Sequence, residues 1–396
     1  MRVTDLSSSE RHGLARIAAR IVWEDREAKD ATLWLEFPAA LAGAVEPSPN
    51  VFLPSAVTCA MSHGERRVLI DGAPCPRHIE GLGTVAAILA SWFPRLTAPR
   101  IETTHGTAAA ASGDRSAICL SGGVDSFAAL QENRLSLPPE HPASIRDGIL
   151  YFGLNTFDFE GDVPRPERLA AFDAQRVRLE SFGERAGVTV IPVRTNVRTL
   201  YSSWEEWLDV GLAAALVAGA HALPSRIGAL TIASHGIGIS LLKFGSHPLL
   251  DPHFSTFGLD VRSVHAMLPR SEKVRRIAEW PAALAVLRVC FMFDVPEDGF
   301  PNCGRCEKCV RTMIELLLCG ALDRASSFPQ NDVSSEMILA ITVKTETRVF
   351  YEEYRAALAS LGRHDLARAI EDRLAAHSRA RTDSGRNGWR RWLGRS

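Results

Sequence analysis

The run Ser116-Ala-Ile-Cys-Leu-Ser121-Gly122-Gly123-Val124-Asp125-Ser126-Phe127 constrains the fold more than any other part of the chain. A short apolar stretch, Ala117 to Leu120, ends in a Ser-Gly-Gly turn, and a helical spacing through Phe127 and Leu130 follows. The pattern predicts strand, tight loop, helix. Adjacent glycines tolerate positive φ and let a ligand approach the backbone, while the helix N-terminus adds partial positive charge, so such a loop suits an anionic phosphate group. Ser121 and Ser126 add hydroxyl donors. The loop lacks the Gly-Lys-Ser/Thr ending of a Walker A motif, so lysine-assisted γ-phosphoryl chemistry is not expected.

The rest of the central region is read from this loop outward. Gly148–Asn155, Val188–Val193 and Gly228–Ser234 are strand-like, and they alternate with helical patterns over 165–186 and 204–223. Alternation of this kind predicts an α/β fold with a doubly wound parallel sheet. Ligands of such sheets sit beyond the carboxyl ends of the strands, which brings together the Ser121–Ser126 loop, Gly153 to Asn155, and Ser234-His235-Gly236. The acidic loop Asp158-Phe-Glu160-Gly-Asp162 is either a solvated turn or a Mg²⁺ site, with Asp125 the better placed carboxylate for metal-assisted work on phosphates. Ser246 to Thr256, with His247, Asp251 and His253 among prolines, either lines a substrate pocket or is an ordinary turn. Pro269 to Lys273 opens a further helix, with Ser271 as a plausible cap.

On either side of this region, residues 1–96 are expected to form an N-terminal α+β segment. Ile17–Trp23, Thr32–Phe37, Val51–Ala60 and Arg67–Ile70 read as strands, and Ile79–Phe93 as an amphipathic helix. This segment shows no chemistry of its own; a role in shaping an active site or a homodimer is the alternative to a plain appendage. Residues 97–115 are small and polar and read as a linker. The central domain then runs over 116–325, followed by C-terminal helices over 326–378. Positions 379–396 form a basic tail, with six arginines against one aspartate and Trp389 and Trp392 interleaved, expected to be disordered.

Cys290, Cys303, Cys306 and Cys309 form C-x12-C-x2-C-x2-C, half of the eight cysteines in the chain. Four thiolates at these spacings can close a tetrahedral zinc shell, with an iron–sulfur cluster as the less favoured occupant. A closed four-sulfur shell has no open position, so its expected role is structural. A net charge of −1 gives no general attraction to nucleic acid, which leaves only the arginine-rich tail for such contact. The polar first ten residues lack the apolar core of a signal peptide, and no apolar run is long enough for a membrane span, so a cytoplasmic location is the expectation.

Ser-Gly-Gly-Val-Asp-Ser at 121–126 resembles the signature of the PP-loop ATP pyrophosphatases, and all six residues match. The resemblance implies an adenine-nucleotide α-hydrolase-like fold and ATP as ligand, with Mg²⁺. Ser121, Gly122, Gly123, Val124, Asp125 and Ser126 would hold the pyrophosphate, and Gly153, Asn155, Ser234 and Gly236 would lie by the nucleotide. Asp125, Ser126 and His235 are the expected catalytic residues. With the downstream cysteines, residues 117–322 look like 7-cyano-7-deazaguanine synthase and its relatives, which adenylate a carboxylate and then admit ammonia. The Tyr-Gly-Gln of that family is missing after the second strand, and the loop after the fourth differs, so the activated small molecule or modified base and its amine partner stay open. A PP-loop tRNA sulfurtransferase and a nucleotide-binding module without turnover are the alternatives.

Overall fold

Alternation of apolar and polar residues builds the first strands. In the computed structural model, which describes residues 1–108, 111–235, 242–290, 299–343 and 347–376, β1 (Arg2–Arg11), β2 (Leu14–Val22) and β3 (Ala31–Pro38) form an antiparallel meander. Ala15, Ile17, Ala19 and Ile21 of β2 point inward and are buried, while Arg20 between them is exposed. Then come α1 (Pro49–His63), β4 (Arg67–Ile70), α2 (Pro76–Trp92) and β5 (Arg100–Thr103).

Two expectations for this part are corrected. Val51–Ala60, read as a strand, is the body of α1: Ser48 caps it by accepting from the Asn50 amide, Pro49 occupies its first turn, and Gly64 ends it in the left-handed region. Every residue from Asn50 to Met61 is buried, so the helix shows no polar face from which a period could be read. The stretch 97–115, read as a linker, carries β5, which lies parallel to β4. Nor do residues 1–96 make a sheet of their own. β3 pairs with the later strand β10 through Leu35 with Thr195 and Glu36 with Arg194, and Asn196 ties in further by accepting from the Trp34 amide.

The central elements follow as β6 (Arg115–Cys119), α3 (Val124–Ser136), β7 (Ile145–Phe152), the hairpin β8 (Phe159–Glu160) and β9 (Val163–Pro164), α4 (Pro166–Ala186) and β10 (Thr189–Thr195). The helix expected over 204–223 is α5 (Trp204–Glu206), a π-helical turn Trp207–Gly211 and α6 (Leu212–His221). β11 (Ile227–Ala233), β12 (Asp260–Val264) and α7 (Arg270–Ala278) complete the series. Among the described residues ten strands form one sheet, ordered β12-β11-β6-β7-β10-β3-β2-β1-β4-β5, and the first five are mutually parallel. The chain is thus α/β with a large, mostly parallel sheet.

This order places a topological switch between β6 and β11, because the chain leaves β6 toward β7 and β10 and returns on the other side to β11. The right-handed crossovers usual for parallel strands would put α3 and α4 on one face and α6 on the other. Phe127 and Phe182 join α3 to α4 edge to face at 4.9 Å. At the amino ends of the strands, fully buried Asp147 accepts two hydrogen bonds each from Arg115 and Arg226 and fastens β6, β7 and the start of β11. With that end closed, the carboxyl ends are where a ligand can meet the backbone.

The chain divides into two compact units, Met1–Lys273 and Val274–Ser396, so the cysteines fall with the C-terminal helices rather than with the sheet. In the second unit, α8 (Pro281–Leu284) and α9 (Glu307–Leu318) precede α10 (Ser335–Ala340), α11 (Arg348–Ser360) and a helix over 364–376. Tyr351 and Tyr354 of α11 are buried and donate to Glu307 and Glu315 of α9. The basic tail lies outside the described residues. Among them no helix is long and apolar enough to cross a membrane.

Candidate functional site

The Ser121–Ser126 loop leaves β6 at the switch point. The Leu120 amide still donates to Ile149 O, at 2.8 Å, and the chain then turns through Gly122, whose φ is +77°. A Cβ at Gly122 would stand 2.4 Å from Gln175 Nε2, so the turn requires glycine both for its backbone angle and for room. Gly123 is extended and begins α3 without a side-chain cap. Hydroxyls brace the turn instead: Ser121 Oγ accepts from the Gly123 amide at 3.2 Å, and Ser126 Oγ donates to Gly123 O at 3.1 Å. Ser121 is exposed and Ser126 is buried, so Ser126 holds the loop from below. Val124 is buried in the first turn.

Asp125, in that same turn, meets a cation that the motif does not contain. Lys273 Nζ lies 2.7 Å from Asp125 Oδ1 and 2.5 Å from Ser234 O; its side chain is fully buried while that of Asp125 is 28% exposed. Burial alone would raise the Asp125 pKa, but Lys273, Arg270 and His235 outweigh it and hold the carboxyl below its ordinary value. Burial lowers Lys273, and the attraction of Asp125 only partly offsets this. Arg270 and Lys273 escaped the sequence reading as site residues. A signal was present, since both sit on the helical face shared with apolar Val274 and Ile277, where a cation is out of place unless paired.

The ends of β11 and β7 flank the loop, because both strands pair with β6. β11 and β6 pair Thr231 with Ile118, which brings Ser234 level with Ser121. Ser234 is buried, its amide donates to Val264 O at 2.9 Å, and its Oγ has no hydrogen-bond partner. His235 is exposed, its ring edge-on to Phe244 at 5.4 Å. Gly236 lies outside the described residues. After β7, Gly153 has φ +97°, and a Cβ there would meet Thr195 O at 1.7 Å.

Asp158 of the acidic loop is tied to the backbone. Its Oδ2 accepts from the amides of Gly153 and Asn155, each at 3.0 Å, and the residue is buried. It shapes the strand end, while Glu160 is exposed. The Ser246–Thr256 loop is likewise turned inward. Buried Asp251 accepts from Ser246 Oγ and the His247 amide, and the His247 ring packs edge-on against Trp92 of α2 at 4.9 Å.

In the second unit the four cysteine sulfurs lie within 4.8 Å of one another. The Cys290–Cys306 and Cys303–Cys309 separations are both 3.9 Å. Four sulfurs bound tetrahedrally at about 2.3 Å from one centre stand about 3.8 Å apart, so the set fits a metal such as zinc and is far too open for disulfides. Gly304, at φ +66°, makes the tight turn that lets the Cys306 amide donate to Cys303 Sγ at 3.3 Å. Cys306 and Cys309 flank the first turn of α9, where the helix end favours negative sulfur. Buried Asn302 fixes the distant fourth ligand. Its Oδ1 accepts from the amides of Val289 and Cys290, and its Nδ2 donates to Leu287 O and Ser327 O. Contact with Cys306 is the largest influence pushing the Cys290 thiol up, to about 12.

No family model matches the chain, and no curated protein and no solved structure matches it.

Proposed function

We propose that the chain is an ATP-dependent ligase of the PP-loop kind, which binds ATP over the Ser121–Ser126 loop and activates a carboxylate as its adenylate. The observation that supports it most is the convergence, at the switch point of a parallel sheet, of a glycine loop, an uncapped helix N-terminus and the buried Lys273 cation. In this reading a substrate carboxylate oxygen attacks the α-phosphorus, the bond to the β-phosphate oxygen breaks, and pyrophosphate leaves. The loop amides stabilise charge on that leaving group, which is electrostatic catalysis. Ammonia or an amine then attacks the acyl carbon and displaces AMP, giving an amide. Gly153 and Asn155 border the adenosine, Asp125 serves Mg²⁺, and His235 is the first candidate to take the proton from the amine. The four cysteines carry a structural zinc. A sulfur-transferring alternative fits less well, because burial pushes the Cys119 thiol up, away from the reactive thiolate.

The test is the nucleotide product. Incubation with ATP, Mg²⁺, 7-carboxy-7-deazaguanine and ammonia is expected to give AMP and pyrophosphate. ADP and phosphate would contradict the ligase, and tight ATP binding without turnover would make the chain a nucleotide-binding module. A His235→Ala chain with unchanged turnover would remove His235 from the chemistry.

A further inference from the structure

We infer that Gln175 of α4 is a positioning residue for the phosphate loop, which pairs with the loop backbone when an oxyanion takes the loop's amide groups. The inference rests on the anion-binding reading of Ser121–Ser126 and adds a residue that no motif contains. Gln175 is 1% exposed, and neither its Oε1 nor its Nε2 has a hydrogen-bond partner. A buried carboxamide with both ends unsatisfied is costly and rare, and it calls for a conformation in which the cost is recovered.

The position of the amide points to that conformation. Its Nε2 and Cδ lie 2.4 and 3.7 Å from where a Gly122 Cβ would be, and Leu179 Cδ2 lies 3.4 Å from the same point. The carboxamide therefore rests against the bare Cα of Gly122, in the space that the missing side chain leaves. Gly122 and Gly123 are the two residues of the loop whose peptide units can turn at least cost. In a trans peptide the N–H and C=O point opposite ways. An oxyanion over the start of α3 draws loop N–H groups toward itself. The carbonyl of a peptide unit that turns in this way swings down, toward Gln175 Nε2, which donates to it. The hydrogen bond exists only in the anion-holding conformation, so it adds to anion affinity without adding to the stability of the conformation described here.

This division gives two readouts of opposite sign. Gln175→Leu and the length-preserving Gln175→Met remove the stranded amide but keep apolar volume. In the full chain, without added anion, both are expected to melt at or slightly above the wild-type temperature. Inorganic pyrophosphate, titrated calorimetrically, is expected to bind both variants about tenfold more weakly, a change of about 1.4 kcal/mol. If both variants bind pyrophosphate as the wild type does, Gln175 has no part in the loop and the inference falls alone. Lower melting together with weaker binding in both variants would show an ordinary packing residue and also overturn it; where only the leucine variant melts lower, the methionine variant decides. A wild-type chain that binds no pyrophosphate would overturn this inference and the anion-binding reading together.

Discussion

Gly122 and Gly304 sit in the same left-handed region of backbone space, at φ +77° and +66°, and each has a glutamine amide where its Cβ would be. At Gly122 this is Gln175 Nε2, buried without a partner; at Gly304 it is Gln330 Oε1, 1.9 Å away on an exposed side chain. The two turns are otherwise built from different materials. The first is suspended between a strand and a helix, and its braces are backbone amides and two serine hydroxyls. The second converges on four sulfurs 3.9 Å apart in crossed pairs, which repel one another once ionised. A turn built from backbone can keep its shape by itself, whereas a turn built from thiolates needs a cation.

The largest expected effect tests that contrast directly. Metal analysis should find one zinc per chain, and a strong chelator, or Cys303→Ser with Cys309→Ser, should strip it. Loss of the ion removes binding energy on the order of 10 kcal/mol from the segment it folds, so amide protection across α9 should collapse. If melting and exchange are the same with and without chelator, the cysteines are ordinary buried thiols and the contrast fails.

Glycine replacements rank next and sharpen it. Gly153→Ala drives a Cβ into the carbonyl of Thr195, which is backbone of β10 and has nowhere to go. Gly122→Ala meets a buried side chain, and Gly304→Ala an exposed one that can swing aside. Each variant also carries about 1–3 kcal/mol for a side chain held at positive φ. Urea unfolding should therefore show the greatest loss for Gly153→Ala, less for Gly122→Ala and least for Gly304→Ala. A larger loss at Gly304 than at Gly122 would mean that the cysteine turn is the more rigid of the two.

Both turns were legible in the sequence because everything that defines them lies within a few residues: Ser121 to Ser126, and Cys303 to Cys309 with one outlying thiol at Cys290. What completes them was not. Lys273 reaches Asp125 across 148 positions, and Gln175 reaches Gly122 from the far helix of the next strand–helix unit. Contacts of that kind depend on which strands become neighbours. The same limit explains why residues 1–96 read as an appendage: the β3–β10 pairing rests on two register pairs that leave no local pattern. Asp158 stood in an acidic loop that read either as a solvated turn or as a Mg²⁺ site, whereas its oxygen is taken by two backbone amides. Val51–Ala60 misled for a different reason. A helix buried on all sides has no periodicity, and β-branched residues then tip the balance toward a strand.

The smallest effect separates the two regions by their response to acid. The cysteine turn should lose its ion as protons compete for the sulfurs, whereas the sheet-bearing unit should weaken through two buried imidazoles. His78 and His221 stack at 4.6 Å; burial holds His221 down to about 4 and, with His221 beside it, holds His78 well below its ordinary value. In the unfolded chain both take up protons near 6.5, while in the folded chain His221 does so only near pH 4 and burial holds His78 neutral well below its ordinary range, so stability falls as the pH drops below 6.5. Asp251 acts in the opposite sense. Burial raises it to about 7, so between about 4 and 7 the folded chain holds a proton there that the unfolded chain has released, and stability rises as the pH drops. With two imidazoles acting against one carboxyl, the net is a loss of stability on going down from 6.5. Asp251→Asn should steepen that fall and His221→Gln should flatten it, both read from urea midpoints against pH. A slope that Asp251→Asn leaves unchanged would mean that Asp251 is ionised in the fold, and a zinc content that falls in step with unfolding of the sheet would erase the difference between the two turns.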